Sequence, residues 1–330
     1  MNMTAANARY DRMQYRPCGK SGLRLPIVSL GLWHNFGTRD DYDMMRRMCM
    51  TAFDLGITHF DAANNYGPVP GSAEEHLGRI LHEQLHAYRD ELIISTKAGY
   101  RMWPGPYGDL GSRKSLLASL DQSLKRMRLS YVDIFYHHRM DPETPLEESM
   151  GALAQAVQSG KALYAGISNY DAATAARAVR VLDELRCPYV LNQVRYSIFD
   201  RHIEHDGLPR AAQESGLGLL AFSPLAQGML SDRYLSGVPA NSRAGRGGPF
   251  LKPAQLTGER LGQIRALNEV ASARGQTLAQ MALCWVLRNP AVTGVLIGAS
   301  SAEQIAENAA IVSTPPFSKE ELAKIDAICG

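Results

Sequence analysis

A short apolar run followed, after a turn, by a stretch of helical spacing recurs eight times along this 330-residue chain. The apolar runs fall at 27–31, 57–60, 92–95, 132–136, 162–167, 190–193, 219–222 and 294–297. Each is continuous rather than alternating, the pattern of a parallel strand covered on both faces. Parallel neighbours require a crossover, and a helical segment follows every run to supply it. Eight such units predict an α/β chain folded as a single (β/α)8 TIM barrel. A doubly wound sheet would carry a glycine fingerprint after its first strand. Gly31-Leu32-Trp33-His34 is not one, and no P-loop occurs anywhere.

The punctuation between the runs agrees. Residues 42–55 place Met44, Met45, Met48, Cys49, Ala52 and Phe53 at helical spacing before Gly56 stops them. Helices are also expected at 73–85, 112–127, 208–215, 258–274 and 277–288. Thr144, Pro145 and Glu147 read as a capping box with proline at the first helical position, and Gly160 ends that helix. Asp171 opens the next helix. Ser300 with Glu303 and Ser318 with Glu321 read as the starts of a final pair of extra C-terminal helices. Ahead of the first strand, 13–18 and 23–26 flank Gly19-Lys20-Ser21-Gly22, which predicts an N-terminal β-hairpin. Residues 1–12 are expected to be a flexible tail. With no linker and no shift of composition, 1–330 reads as one domain.

A net charge of +2 gives no reason to expect nucleic acid or an anionic membrane as a partner, so any phosphate recognition should be local. The expected partner is a small molecule, and a homo-oligomer is compatible with the sequence. The five cysteines are scattered and form no CxxC pair, which suits reduced thiols in the cytoplasm. The polar first 16 residues lack a secretory signal, and no 18-residue apolar stretch suggests a membrane span.

In such barrels chemistry sits at the carboxyl ends of the strands. The residues there are Trp33, Asp61 with Tyr66, Lys97, His138, Ser168 with Asn169, Gln193, Phe222 with Ser223, and Gly298 with Ser300. Asp61, Tyr66, Lys97 and His138 form a set with a chemical logic. A phenol is a poor acid near neutrality unless its anion is stabilised; an ammonium does that, and a carboxylate keeps the ammonium charged and oriented. His138 would hydrogen-bond a substrate carbonyl oxygen from the other side. The set suits proton donation to an oxygen as hydride reaches its carbon. His137 with His138 and the run His202-Ile203-Glu204-His205 raise a metal hydrolase as a competitor, but neither has a ligand signature, so no metal is expected.

The runs Phe60-Asp61-Ala62-Ala63-Asn64-Asn65-Tyr66-Gly67, Ser95-Thr96-Lys97, Tyr136-His137-His138, Gly166-Ile167-Ser168-Asn169, Ser223-Pro224-Leu225 and the segment 296–308 together resemble the aldo-keto reductases, over essentially the whole chain. The long loop 98–113, with Trp103-Pro104-Gly105-Pro106-Tyr107, is most similar to the L-glyceraldehyde 3-phosphate reductase branch, close to the voltage-gated potassium-channel β-subunits. The resemblance implies NADPH-dependent reduction of small aldehydes such as glyceraldehyde 3-phosphate and methylglyoxal, with Tyr66 as general acid. It places Ser168, Asn169 and Gln193 on the nicotinamide carboxamide and Phe222 against its ring. Ser223, Leu225, Gln227 and Gly228 would line the pyrophosphate. Arg243, Ser300, Gln304 and Asn308 would hold the adenosine end and its 2′-phosphate. Trp33, Asp61, Arg233, Gly298 and Glu307 complete the implied cofactor set. Asp232 and Arg233 depart from the Gly and Lys that relatives often carry, and Asp232 would weaken pyrophosphate binding. The chain stops soon after its last helix, which leaves substrate choice to Trp33, Trp103, Tyr107 and Arg139, the arginine as a phosphate clamp. The alternative the resemblance raises is a nucleotide-sensing partner of a membrane channel with weak reductase activity. The channel subunits carry an amide at position 138, where this chain has His.

Overall fold

The computed structural model describes residues 4–239, 244–245 and 250–329. A two-stranded antiparallel hairpin, β1 (Tyr15–Pro17) and β2 (Arg24–Pro26), precedes eight parallel strands that close into a barrel. These are β3 (Val28–Gly31), β4 (His59–Asp61), β5 (Ile93–Ala98), β6 (Val132–His137), β7 (Ala162–Ser168), β8 (Tyr189–Arg195), β9 (Gly218–Phe222) and β10 (Val292–Ile297). Neighbours in sequence are neighbours in space, and β10 pairs with β3 to complete the ring. All eight expected strands are present, with ends moved by at most three residues. Interstrand pairing sets those ends: β4 extends to Asp61 because Asp61 registers with Ser95 on β5.

The helices pack outside the ring, most by one apolar face. They are α1 (Tyr42–Asp54), α2 (Ser72–Ile80), α3 (Arg113–Met127), α4 (Leu146–Gln158), α5 (Ala172–Glu184), α6 (His202–His205), α7 (Leu208–Ser215), α8 (Gly258–Ala273), α9 (Leu278–Leu287), α10 (Ala302–Ala309) and α11 (Lys319–Cys329). On α1 the buried positions are Met45, Met48, Cys49, Ala52 and Phe53, which lie at i, i+3, i+4, i+7 and i+8. None of the described helices is long and apolar enough to cross a membrane.

Three expectations change. The Thr144 hydroxyl donates to Asp141 instead of capping a helix, so α4 starts at Leu146 with Pro145 as an N-cap that has no side-chain acceptor. On α10 the N-cap is Ser301, whose oxygen accepts the Gln304 N–H. Ser300 lies one residue outside and donates its own N–H and hydroxyl to the Gln304 side chain. The box at Ser318 and Glu321 stands, with bonds of 2.7 and 3.2 Å. The N-terminal segment is no loose tail from residue 4 onward. Ala5 is buried and donates to Tyr88 at 3.0 Å, Ala6 donates to Asp54 at 2.8 Å, and Arg9 pairs with Glu91.

The hairpin closes the amino-terminal end of the barrel. Cys18 and Leu25 pack into one cluster with Ile134, Tyr136, Val190, Leu191, Leu220 and Leu296. The Arg16 guanidinium donates to the carbonyls of Leu287 and Val292 at 3.0 and 2.9 Å. Higher in the barrel Tyr136 is fully buried, and Gly166 on β7 makes room for it: a Cβ there would lie 2.4 Å from the ring. That floor leaves the carboxyl end as the open mouth.

Candidate active site

β4 and β5 are adjacent, and side chains two apart on a strand share a face. Asp61 and Lys97 therefore both point into the mouth. The Lys97 ammonium reaches Asp61 Oδ2 at 2.5 Å, the Ala62 carbonyl at 2.7 Å and the Tyr66 hydroxyl at 3.3 Å. An ammonium has three donors, and three acceptors meet them, which is what a fully buried lysine requires. Tyr66 arrives on the loop after β4, whose turn is held by Tyr66 N–H to Ala63 at 3.1 Å and by Gly67 at φ 86°. His138 follows β6 and stands edge-on to Tyr66 with ring centres 5.7 Å apart. The four side chains expected from the strand ends thus meet at one place.

Burial dominates their ionisation. The Tyr66 phenol is pushed well above its ordinary value by desolvation, and the nearby negative charge of Asp61 adds to the rise. Lys97 is pushed down by burial, while Asp61 opposes the shift. His138 is held well below the usual imidazole range by burial and by the Lys97 charge, so it is neutral at pH 7. The expected ammonium-acidified phenol is therefore not the resting state; the phenol keeps its proton firmly.

The four residues stand at one end of a cavity of about 1160 Å³. Asp61, Tyr66 and His138 line it, together with Trp33, Ser168, Asn169, Gln193, Phe222, Ser223, Leu225, Gln227, Gly228 and Gly298. Lys97 lies beneath the wall and acts on the cavity through Tyr66. Ser168 donates to the Gln193 carbonyl at 2.9 Å, Asn169 to the His138 carbonyl at 3.0 Å, and the Gln193 amide to Asp61 at 3.2 Å. The turn after β9 is unusual. Ser223, Ala226, Gln227 and Gly228 all have positive φ, between 47° and 92°, and three of them carry a Cβ. Such backbone costs about 1–2 kcal/mol per non-glycine residue and clusters where a ligand is clamped.

Other expected residues lie elsewhere. Trp103, Tyr107 and Arg139 do not line the cavity. The long loop folds on itself: Trp103 presses on Gly108, and Tyr107 is 55% exposed. Arg139 donates to the Gly99 carbonyl and pairs with Asp109, each at 2.8 Å, and its guanidinium sits 4.3 Å over Tyr100. It staples the loop through Nε and one terminal nitrogen of its guanidinium. Arg233, Ser300, Gln304, Glu307 and Asn308 also lie outside the lining, on the excursion after β9 and at α10. Arg243 falls outside the described residues. In the His202 run, His202 pairs with Asp200 and Glu204 with Arg288, and among the described residues no group of three or more His, Cys, Asp or Glu stands together as a metal would need.

Sequence reasoning missed several lining residues. Tyr100 packs edge-on against His138 at 4.6 Å, and it would have been found by reading two residues further past β5. Phe250 closes on Trp33 with ring centres 4.4 Å apart. No local signal marks it, because its place depends on how a long excursion returns. His34, Asn65, Arg195, Phe199 and Arg260 also face the cavity.

Ligand pockets usually measure about 300–1,000 Å³. This one exceeds that range and far exceeds any three-carbon aldehyde. An aromatic wall at Phe222, amide groups at Asn169 and Gln193, and the left-handed turn at 223–228 fit a long ligand with a flat amide-bearing ring, as a nicotinamide cofactor is.

The comparisons agree with this geometry. Residues 27–329 match the aldo/keto reductase family. The chain is 58% identical over 321 residues to L-glyceraldehyde 3-phosphate reductase of Escherichia coli, spanning 96% of this chain and 93% of that one. It is 36% identical to a probable voltage-gated potassium channel subunit beta of Oryza sativa subsp. japonica, over 96% of each. A thermostable aldo-keto reductase solved with the inhibitor epalrestat superposes with a TM-score of 0.75 at 31% identity, covering 96% of this chain and 100% of that one. Sheet order, cavity and sequence concur, and the chain belongs to the aldo/keto reductase family, oxidoreductases that use nicotinamide cofactors.

Proposed function

We propose that this reductase uses NADPH to convert small aldehydes of the glyceraldehyde 3-phosphate and methylglyoxal type into alcohols, with Tyr66 as the general acid. The contact that carries the reading is Lys97 between Asp61 and Tyr66 at the wall of the large cavity. When bound, the reduced nicotinamide supplies a hydride to the carbonyl carbon. Asn169 and Gln193 would hold its carboxamide and Phe222 its ring, with Ser223, Leu225, Gln227 and Gly228 along the pyrophosphate. Neutral His138 orients the carbonyl oxygen by a hydrogen bond. Tyr66 passes its proton to that oxygen as charge builds there. An alkoxide is far more basic than a phenolate, so a phenol with raised pKa still transfers its proton. The phenolate left behind lies beside the Lys97 ammonium, 3.3 Å away. Electrostatic stabilisation counts for more in a buried site than in water.

The test follows loss of NADPH absorbance with glyceraldehyde 3-phosphate, methylglyoxal and a bulky ketone. Turnover of the first two, slower oxidation of NADH and little turnover of the ketone are expected. No NADPH oxidation with either aldehyde would remove the reading. Arg243→Ala should weaken NADPH binding more than NADH, because only NADPH carries the 2′-phosphate.

A further inference from the structure

Beneath the catalytic side chains the barrel interior is polar where an apolar layer would be cheaper. Ser29 on β3, His59 on β4 and Ser95 on β5 are all fully buried, and they lie on three adjacent strands. His59 Nδ1 is 3.0 Å from Ser29 Oγ, and its Nε2 is 2.9 Å from Ser95 Oγ. Ser95 Oγ is in turn 2.6 Å from Asp61 Oδ1. Asp61 Oδ2 is the oxygen that meets Lys97.

Proton counting gives this chain a direction. The Asp61 carboxylate only accepts, so the single Ser95 hydroxyl proton points at it. Ser95 Oγ must then accept from His59, which fixes the proton of the ring on Nε2. Nδ1 is left as an acceptor, and Ser29 donates to it. Burial holds the His59 ring down to about 4, against the pull of Asp61, so it stays neutral and keeps one donor and one acceptor.

We propose that His59 and Ser95 are positioning residues for the reductase chemistry: a one-way chain from Ser29 through His59 and Ser95 clamps one oxygen of Asp61 and so aims the other at Lys97. The inference rests on the proposed role of Tyr66 and goes beyond it. With Oδ1 tied by Ser95, and by Gln193 at 3.2 Å, the carboxyl group cannot swing about its own axis. Lys97 then keeps its place under the Tyr66 hydroxyl. A merely space-filling histidine would need neither serine, and a merely satisfied one would not end on the catalytic carboxylate.

Four measurements test it. Histidine-labelled protein read by long-range proton–nitrogen spectra should show His59 as the neutral Nε2–H tautomer, and Ser95→Ala should change that signal. In NADPH-oxidation assays Ser95→Ala should lower kcat roughly 10- to 150-fold, the worth of one hydrogen bond to a charged group, while NADPH affinity holds. His59→Leu combined with Ser95→Ala should lose no more than the larger single loss, because both act through one bond. His59→Gln, whose amide N–H can stand in for Nε2–H, should recover most of the loss of His59→Leu. An Nδ1–H tautomer, additive losses, or a Ser95→Ala enzyme of parental kcat would each overturn the chain. If the parent enzyme oxidises no NADPH with any aldehyde, the proposed function falls, and the tautomer spectrum still decides whether the chain exists.

Discussion

Replacing Tyr66 by Phe removes one oxygen from a crowded site and changes little else. The ring is held by its neighbours, with Trp33 at 6.4 Å and His138 at 5.7 Å between centres. The lost hydroxyl made its Lys97 contact at 3.3 Å, long for a hydrogen bond, while Lys97 keeps Asp61 at 2.5 Å and Ala62 at 2.7 Å. The stability cost should therefore stay below about 1 kcal/mol. The rate is a different matter, since general acid catalysis is worth roughly 10²–10⁴-fold. That corresponds to about 3–5 kcal/mol of barrier. The assay is kcat from NADPH loss at saturating aldehyde, paired with nucleotide affinity from protein fluorescence, for which Trp33 in the cavity wall is a ready reporter. Urea midpoints of parent and variant complete the set. A Phe variant at parental kcat would refute the acid assignment. A loss of affinity matching the loss of rate would show instead that the hydroxyl serves binding.

Three further outcomes are expected. Because the Tyr66 phenol is raised and the His138 ring lowered, both stay in their working forms across the neutral range, and reductive kcat should be level between about pH 7 and 9; a fall with rising pH centred near 8 would contradict the Tyr66 direction, and a rise there the His138 direction. Arg139→Ala should free Tyr100 and the 98–113 loop, raising KM for methylglyoxal and glyceraldehyde 3-phosphate alike, and a rise confined to the phosphorylated substrate would restore the phosphate clamp. Gly166→Ala drives a Cβ to 2.4 Å from the Tyr136 ring and should cost about 1–3 kcal/mol, read as a lower urea midpoint; an unchanged midpoint would mean that the floor yields freely.

The barrel and its four central residues could be read from the chain because both are local signals. Continuous apolar runs mark the strands, and a polar residue directly after such a run has nowhere to point but the mouth. What failed depended on choices that sequence leaves level. Ser300 and Ser301 are adjacent hydroxyls, and only the extended backbone of Ser301 makes it the cap. Thr144 had a competing acceptor in Asp141. Polar residues 4–12 looked unattached because their partners Asp54, Tyr88 and Glu91 lie far along the chain. Trp103 and Tyr107 were expected at the substrate, yet Trp103 packs against Gly108 of its own loop and Tyr107 is exposed. The direction of the Tyr66 shift was missed because burial raises it and Asp61 adds to the rise, and burial is a property of the assembled mouth.

The hairpin under the barrel ties the two ends of the chain together in time as well as in space. Gln14 donates to Val312, Arg16 to Leu287 and Val292, and β3 finds its second neighbour only in β10. Contacts spanning nearly the whole sequence form late, since loop closure must be overcome before they reward the chain. As the polypeptide leaves the ribosome its first 31 residues thus have no completed seat. The apolar face of β3 and the plug residues Cys18 and Leu25 must wait through the synthesis of seven more strands, exposed to whatever else would bind them.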